Sequence, residues 1–101
     1  MILIIADVVA KLGMDDRLES AFRDYVARMD KEGENGILHF DILRNGTDDE
    51  GRQRFVYREA FENDAAMDRH NAAPYKAGYV TRMREFIASA GAQQFVSREW
   101  R

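Results

Sequence analysis

The sequence has no cysteine and only one proline, and it contains no long uninterrupted apolar run. Without cysteine the chain can form no disulfide and offers no thiolate nucleophile or zinc–thiolate site. This composition fits a reducing compartment, and we expect a cytoplasmic location. The most apolar stretch, residues 1–13, is interrupted by Asp7. It is too short to span a bilayer and lacks the pattern of a signal peptide, so we expect no membrane association.

An excess of positive charge is also missing. Fifteen basic residues are scattered among eighteen acidic ones, for a net charge of -3, which gives no reason to expect a nucleic-acid partner. The sequence has no glycine-rich phosphate loop, dinucleotide fingerprint or Ser-His-Asp set, so it implies no nucleotide or flavin cofactor. What is present is 46% apolar and 33% charged residues over 101 positions, which predicts one ordered domain, residues 1–101.

Hydrophobic periodicity predicts the first four elements. Residues 2–10 are rich in Ile and Val and predict a buried strand. Residues 14–32 carry apolar side chains at helical spacing and end at Gly33, which suits a helix stop. Residues 37–44 and 54–62 alternate as strands, and the polar segment 45–53 between them predicts a hairpin connection.

The second half of the chain predicts two helices and a last strand. Asn63 or Asp64 can cap a short helix that runs to about Asn71. A second helix is predicted from Pro74, with an apolar stripe that continues to Ala90 and a stop at Gly91, and residues 93–101 alternate as a strand. The order β-α-β-β-α-β, with a split second helical region, predicts an α+β ferredoxin-like fold. In that fold helices cover one face of a four-stranded antiparallel sheet.

The predicted architecture implies a partner. Both faces of the first strand carry apolar residues, yet helices would cover only one face of the sheet. An uncovered apolar face marks an interface, and the common solution is a two-fold dimer with the two sheets face to face. We therefore expect a homodimer through the sheet face.

Three segments carry a family resemblance. They are GILHFDILRN, RFVYREAFENDAAMDRH and the pair Pro74–Tyr75. With them the chain resembles the antibiotic biosynthesis monooxygenase family of dimeric α/β-barrel proteins, and locally it is most similar to the branch that isomerises a phosphorylated autoinducer. The resemblance implies a small-molecule substrate and, outside the family's haem-degrading branch, no cofactor. The residues that the haem-degrading branch uses are replaced here by Asp7, Phe61 and Tyr79.

Three residues are candidates for acid–base catalysis: His70, Glu59 and Asp7. The imidazole of His70 titrates near neutral pH, although it could instead pack under the Pro74 turn. A Glu59 carboxylate among aromatic side chains would have a raised pKa, unless it is a structural acid bonded to a hydroxyl or backbone group. If its face of the strand lies towards the helices, Asp7 would reach the same site as Glu59. Alternatively, Asp7 would pair with an arginine across the dimer.

A further set of residues is suited to holding a substrate. Their aromatic rings could stack on a substrate and their phenols could donate hydrogen bonds, although aromatic side chains are more often part of the core. A guanidinium could bind a substrate phosphate. His39 and Asp41 point the same way on a strand, but such a pair is weak support for a metal, and we expect no metal site. The candidate substrate-binding residues are Tyr57, Phe61, Tyr75, Tyr79 and Arg58.

Three functions are compatible with the sequence, and we favour the first. It is a cofactor-independent monooxygenase acting on a quinol or phenol with dioxygen, which is the activity most common in the family that the chain resembles. The second is an isomerase of a small phosphorylated hydroxyketone, which needs a base and a cation for the phosphate. The third is a ligand-binding dimer without catalysis.

Overall fold

Seven elements build one four-stranded antiparallel sheet with three helices. The computed structural model describes residues 1–96. The strand order across the sheet is β2-β3-β1-β4, and both central strands, β1 and β3, are antiparallel to their neighbours. This topology confirms the predicted ferredoxin-like fold. The elements are β1 (Ile2–Ala10), α1 (Asp15–Glu32), β2 (Ile37–Thr47), β3 (Gln53–Phe61), α2 (Asp64–Asn71), α3 (Lys76–Arg84) and β4 (Ile87–Val96).

Helix α1 forms because its apolar residues recur on one face, and it buries that face against the sheet. Its buried positions are spaced by three or four residues, as the sequence predicted. The helix ends where Gly33 adopts a left-handed conformation (φ 64°) and its N–H donates to the carbonyl of Met29 at 3.1 Å. The buried residues of α1 are Leu18, Ala21, Phe22, Tyr25 and Met29.

The two faces of the sheet differ in what covers them. Along β1, Val8 and Ala10 are buried in the core with α1, while Ile5 and Asp7 are exposed on the opposite side. Because side chains alternate along a strand, β1 and β3 each contribute one residue set to the helices and one to the open face. We refer to the two surfaces as the helix face and the open face.

The strand-to-helix corner after β3 is set by a cap. The side-chain oxygen of Asn63 accepts a hydrogen bond from the backbone N–H of Ala66 at 3.0 Å, which satisfies one of the unpaired donors of α2. Helix α2 then runs to Asn71, where the sequence predicted its end. The corner therefore forms largely from its local sequence.

The prediction for residues 74–91 was wrong in part. Helix α3 begins at Lys76 rather than Pro74 and ends at Arg84, and Ile87 already starts β4. Residues 87–96 pair with β1 from Ala10 back to Ile2, so Gly91 lies within a strand instead of ending a helix. Residues 87–96 pair with the backbone N–H and C=O groups along one side of β1, which would stay unpaired if these residues continued the helix. This pairing outweighs the helical spacing of their apolar side chains. Residues 97–101, which the prediction also placed in this strand, lie outside the described residues.

One close packing contact joins helix α2 to the residue that precedes β2. Gly36 has a positive φ of 83°, and a Cβ placed on it would lie 2.6 Å from the Cβ of Ala66 in α2. The backbones of the two elements approach this closely only because neither residue carries a longer side chain.

We expect Gly36→Ala to lower the free energy of unfolding by roughly 2–4 kcal/mol, through backbone strain and overlap with Ala66 together. Gly46→Ala is the matched control, because Gly46 also has a positive φ (67°) but a Cβ placed there would meet no neighbouring atom within 4 Å. Urea unfolding monitored by circular dichroism measures both variants. Equal losses in the two would show that the contact with Ala66 costs nothing.

Candidate active site

Strand β3 presents a carboxylate to the helix face among aromatic side chains. Phe55, Tyr57, Glu59 and Phe61 alternate along the strand, and both phenylalanines are buried. Glu59 lies between Ile4 of β1 and the aromatic Phe40 of β2 in the sheet register. The acid is therefore held in the middle of the sheet, on the face that the helices cover.

The Glu59 carboxylate makes no hydrogen bond or ion pair with any residue among positions 1–96. Burial disfavours its charge and raises the pKa of Glu59, and the positive charge of Lys76 on α3 offsets part of that rise. An unpaired, desolvated carboxylate of this kind is a strong proton acceptor once it is ionised. Within residues 1–96, Glu59 therefore lacks the hydroxyl or backbone partner that a structural acid would have.

His70 lies at the end of α2 and is only 1% exposed. Its Nε2 atom is 2.9 Å from the Tyr25 hydroxyl, and its Nδ1 atom is 3.2 Å from Oε1 of Glu34. Burial lowers the pKa of His70, and Lys76 adds to that effect, while the Glu34 carboxylate works in the opposite direction. The imidazole is therefore neutral near pH 7, with Nδ1–H donating to Glu34 and Nε2 accepting from Tyr25.

Aromatic side chains close the space around these groups. The ring of Tyr25 stacks on Tyr79 at a centroid distance of 5.3 Å and meets Tyr75 edge-on at 6.2 Å. The Tyr57 hydroxyl contacts the sulfur of Met83 at 3.7 Å. Burial, with the charge of Glu59 second, raises the pKa of both Tyr25 and Tyr57. The two phenols therefore stay protonated, as hydrogen-bond donors beside the acid.

Two predicted site residues lie elsewhere. Asp7 is exposed on the open face, so the condition under which it would share a site with Glu59 is not met. Arg58 also lies on the open face, where its guanidinium binds the Asp41 carboxylate at 2.7 Å. The cation that does act on Glu59 and His70 is Lys76, whose ammonium donates to the side chain of Asn71.

Sequence reasoning missed two members of the site, Tyr25 and Glu34. Tyr25 sits in the apolar stripe of α1, where its ring is indistinguishable from core, and the hydroxyl is the one polar atom in that stripe. Glu34 follows the helix-ending Gly33 and carries no periodic signal. Only the fold brings these residues against His70, across sequence separations of 45 and 36 residues.

Two surface grooves lie next to the residues around His70 and Lys76. One of about 320 Å³ is lined by Glu34, Arg69, Pro74 and Tyr75, among others. Another, of about 310 Å³, is lined by Lys76 together with residues of α2 and α3. Over residues 1–96, no three side chains of the metal-ligating types come together. Nor does any helix in that range combine the length and apolar character needed to cross a membrane.

Comparison with known proteins bears on the fold and the family. Residues 1–82 match the profile of the family Antibiotic biosynthesis monooxygenase. No curated protein sequence matches at a significant level.

Solved structures share the whole fold at low identity. A Deinococcus radiodurans protein provisionally assigned to the same family superposes with a TM-score of 0.78 at 16% identity, over 99% of this chain and 95% of that one. SnoaB, a cofactor-independent oxygenase from Streptomyces nogalater, gives 0.76 at 18% identity over 98% and 95%. PA3566 from Pseudomonas aeruginosa gives 0.72 at 22% identity over 97% and 94%. At these identities the likeness shows a common fold.

The raised pKa of Glu59 leads to a prediction about stability. Since the folded protein binds this proton more tightly than the unfolded chain, stability falls as pH rises above the ordinary glutamate value. We expect Glu59→Gln to raise the melting temperature at pH 7.5, by about 4–8 °C for each kcal/mol recovered, and to give little gain near pH 4. Thermal melts at both pH values measure the difference.

Glu62→Gln, an exposed acid three residues along the chain, is the control and should show no such gain. A gain for Glu59→Gln of the same size at both pH values would show that the carboxylate carries no unfavourable charge.

Proposed function

Because this chain belongs to the antibiotic biosynthesis monooxygenase family, we propose that it oxygenates a small quinol or phenol with dioxygen, without a cofactor, using Glu59 as the base. The family and the fold support an oxygenase-like activity, and the substrate class is our inference from the site. SnoaB, a cofactor-independent oxygenase, shares the fold over nearly the whole chain.

One observation carries the proposal: the desolvated Glu59 carboxylate has aromatic neighbours and no hydrogen-bond partner within residues 1–96. A phenolic hydroxyl would supply the missing donor, and its ring would pack against Tyr57, whereas Phe61 is fully buried and offers no surface to a substrate. We place the approach of the substrate at the groove beside Lys76, because the charge of Lys76 already acts on Glu59. Tyr75 and Tyr79 close the cluster on the α3 side.

The proposed reaction needs no reactant besides the substrate and dioxygen. Glu59 takes the proton of one hydroxyl, and the electron-rich anion passes one electron to dioxygen. The substrate radical and superoxide then combine to form a carbon–oxygen bond, and Glu59 returns its proton to the peroxide. Loss of water from the hydroperoxide breaks the oxygen–oxygen bond, so that quinol and dioxygen yield hydroxyquinone and water.

His70 has a lesser part in this scheme. Its two nitrogens are already engaged by Tyr25 and Glu34, so it is not free to take a proton from a substrate directly. Asp7 and Arg58 contribute to the open face instead.

A second candidate function is supported by Lys76. Its charge acts on both Glu59 and His70, and it lines a groove, so it could hold the phosphate of a small phosphorylated hydroxyketone while Glu59 moves the proton. Arg58, which the sequence suggested for this role, is paired with Asp41 on the other side of the sheet.

We expect the protein to consume dioxygen with at least one member of a quinol and phenol panel. Glu59→Gln should lower kcat roughly 100-fold or more, because the amide cannot accept a proton, while the exposed Glu62→Gln should retain the wild-type rate. An oxygen electrode and product analysis measure both. Uptake that persists in Glu59→Gln would remove this residue as the base.

The isomerase alternative is tested on the same proteins. No dioxygen uptake, together with binding of a phosphorylated ketose that weakens in Lys76→Gln, would favour it over the oxygenase. Calorimetry with the phosphorylated and unphosphorylated ketose separates phosphate recognition from binding of the sugar.

We also propose that two chains pair through their open faces. This face exposes Leu43 (58%), Phe95 (48%) and Ile5 (36%) around the Arg58–Asp41 pair. Apolar side chains grouped on one sheet face are stabilised by a second copy related by a two-fold axis. Members of the family that this chain belongs to are generally dimers, which supports the same arrangement.

Light scattering at micromolar concentration should give the mass of a dimer. Leu43→Arg should shift the equilibrium towards monomer, because it places a charge in the interface. Leu12→Arg should leave the dimer intact, since Leu12 is even more exposed (70%) but lies in the turn after β1. A monomeric wild type would exclude the pairing.

A further inference from the structure

The open face carries a balanced set of charges besides its apolar side chains. In the four strands as described over residues 1–96, two acids and two arginines point to this face, so their charges cancel at pH 7. They are Asp7, Asp41, Arg54 and Arg58. Because the face has no net charge, it does not repel a second copy of itself, and the position of each charge decides how two copies fit together.

One acid and one arginine are already paired within the chain. Asp41 on β2 and Arg58 on β3 are direct cross-strand neighbours. The guanidinium donates to the carboxylate through two nitrogens, Nε at 3.3 Å and Nη2 at 2.7 Å. These two charges therefore neutralise each other whether or not a second chain is present.

The other acid and the other arginine have no partner in the same chain. The side chains of Asp7 and Arg54 make no hydrogen bond or ion pair with any residue in the described range, and both are exposed. Asp7 lies opposite Val56 in the β1–β3 ladder, and Arg54 lies opposite Val9 two residues further along. The two residues are thus diagonal neighbours on the central strands, about 7–8 Å apart.

Pairing of two open faces would bring both of these charges into the interface. Asp7 and Arg54 belong to the two central strands of the sheet, so neither lies at its edge, where a charge could stay in water. A charge that loses its water is strongly destabilising unless an opposite charge replaces the water. Among residues 1–96, the open face offers Asp7 no uncompensated positive charge other than Arg54.

A single two-fold axis can satisfy both charges. When two sheets pack face to face, the axis lies between them and parallel to their planes, and the sheets are about 10 Å apart. If the axis passes midway between Asp7 and Arg54, at right angles to the line that joins them, each residue comes to face the other residue of the second copy. Two ion pairs then form together, and a guanidinium suits such a pair because it can bind a carboxylate through two hydrogen bonds.

We propose that Asp7 of each chain pairs with Arg54 of the other, and that these two ion pairs select a second copy of this chain as the partner and fix the register of the two sheets. The proposal rests on the open-face dimer proposed above. The apolar side chains of that face supply attraction without direction. The two diagonal charges supply the direction, because they disfavour every register in which like charges meet.

Charge reversal tests the two ion pairs. We expect Asp7→Arg and Arg54→Asp each to raise the dissociation constant of the dimer about 10-fold or more, because each variant brings like charges together twice. The double variant Asp7→Arg/Arg54→Asp should recover most of the wild-type affinity, since its charges are again opposite with their places exchanged. Sedimentation equilibrium over a range of protein concentrations measures the constants, and circular dichroism checks that each variant is folded.

A mixture of the two single variants gives a second readout. One chain then has arginine at both positions and the other has aspartate at both, so we expect them to form a heterodimer in preference to either homodimer. Native mass spectrometry separates the three dimers by mass. No preference for the heterodimer, or a double variant that associates no better than the single ones, would overturn the proposal.

Two charge reversals away from the open face are the matched controls. Asp49→Arg lies in the loop between β2 and β3 and Arg84→Asp at the end of α3, and both positions are exposed. They change the net charge by the same amounts and should leave the dissociation constant unaltered. A wild-type dimer that both open-face single variants form equally well would overturn the ion pairs alone, whereas a monomeric wild type would overturn the open-face dimer as well.

Discussion

Alternation along the two central strands is the constraint on which the rest of the structure depends. A side chain on β1 or β3 belongs either to the core under the helices or to the open face, and neighbouring residues always differ. Glu59 and Arg58 are adjacent in sequence, yet one is desolvated among aromatic rings and the other pairs with Asp41 on the surface. A shift of β3 by one residue would exchange their environments, so the strand register determines which of them can do chemistry.

The sequence predicted what depends on local patterns. The Ile- and Val-rich strand β1, the alternation in β3, the stripe of α1, the stop at Gly33 and the cap at Asn63 each follow from a few neighbouring residues, and each appears in the structure. The length of α3 did not follow, because residues 87–90 continue the helical spacing and become a strand only through pairing with β1. Local propensity is a weak prior wherever a sheet edge has to be completed.

The candidate site shows the same division between local and long-range information. Glu59 and His70 are candidates on the sequence because a carboxylate among aromatic side chains would have a raised pKa and an imidazole titrates near neutral pH. Whether Asp7 shared their site depended on which face of β1 met the helices, and only the packing of α1 determines that. Tyr25 and Glu34 are joined to His70 by contacts across distant parts of the chain, for which one sequence contains no signal.

The break between α2 and α3 has a consequence for how such a protein can diversify. His70 lies in the last turn of one helix and Lys76 begins the next, with only residues 72–75 between the two helices. The imidazole is held by α1 and the segment after it, whereas the ammonium is carried by a separate helix, α3. Substitutions in α3 away from Lys76 can therefore reshape the groove that α3 lines while the hydrogen bonds of His70, which involve no residue of α3, stay as they are.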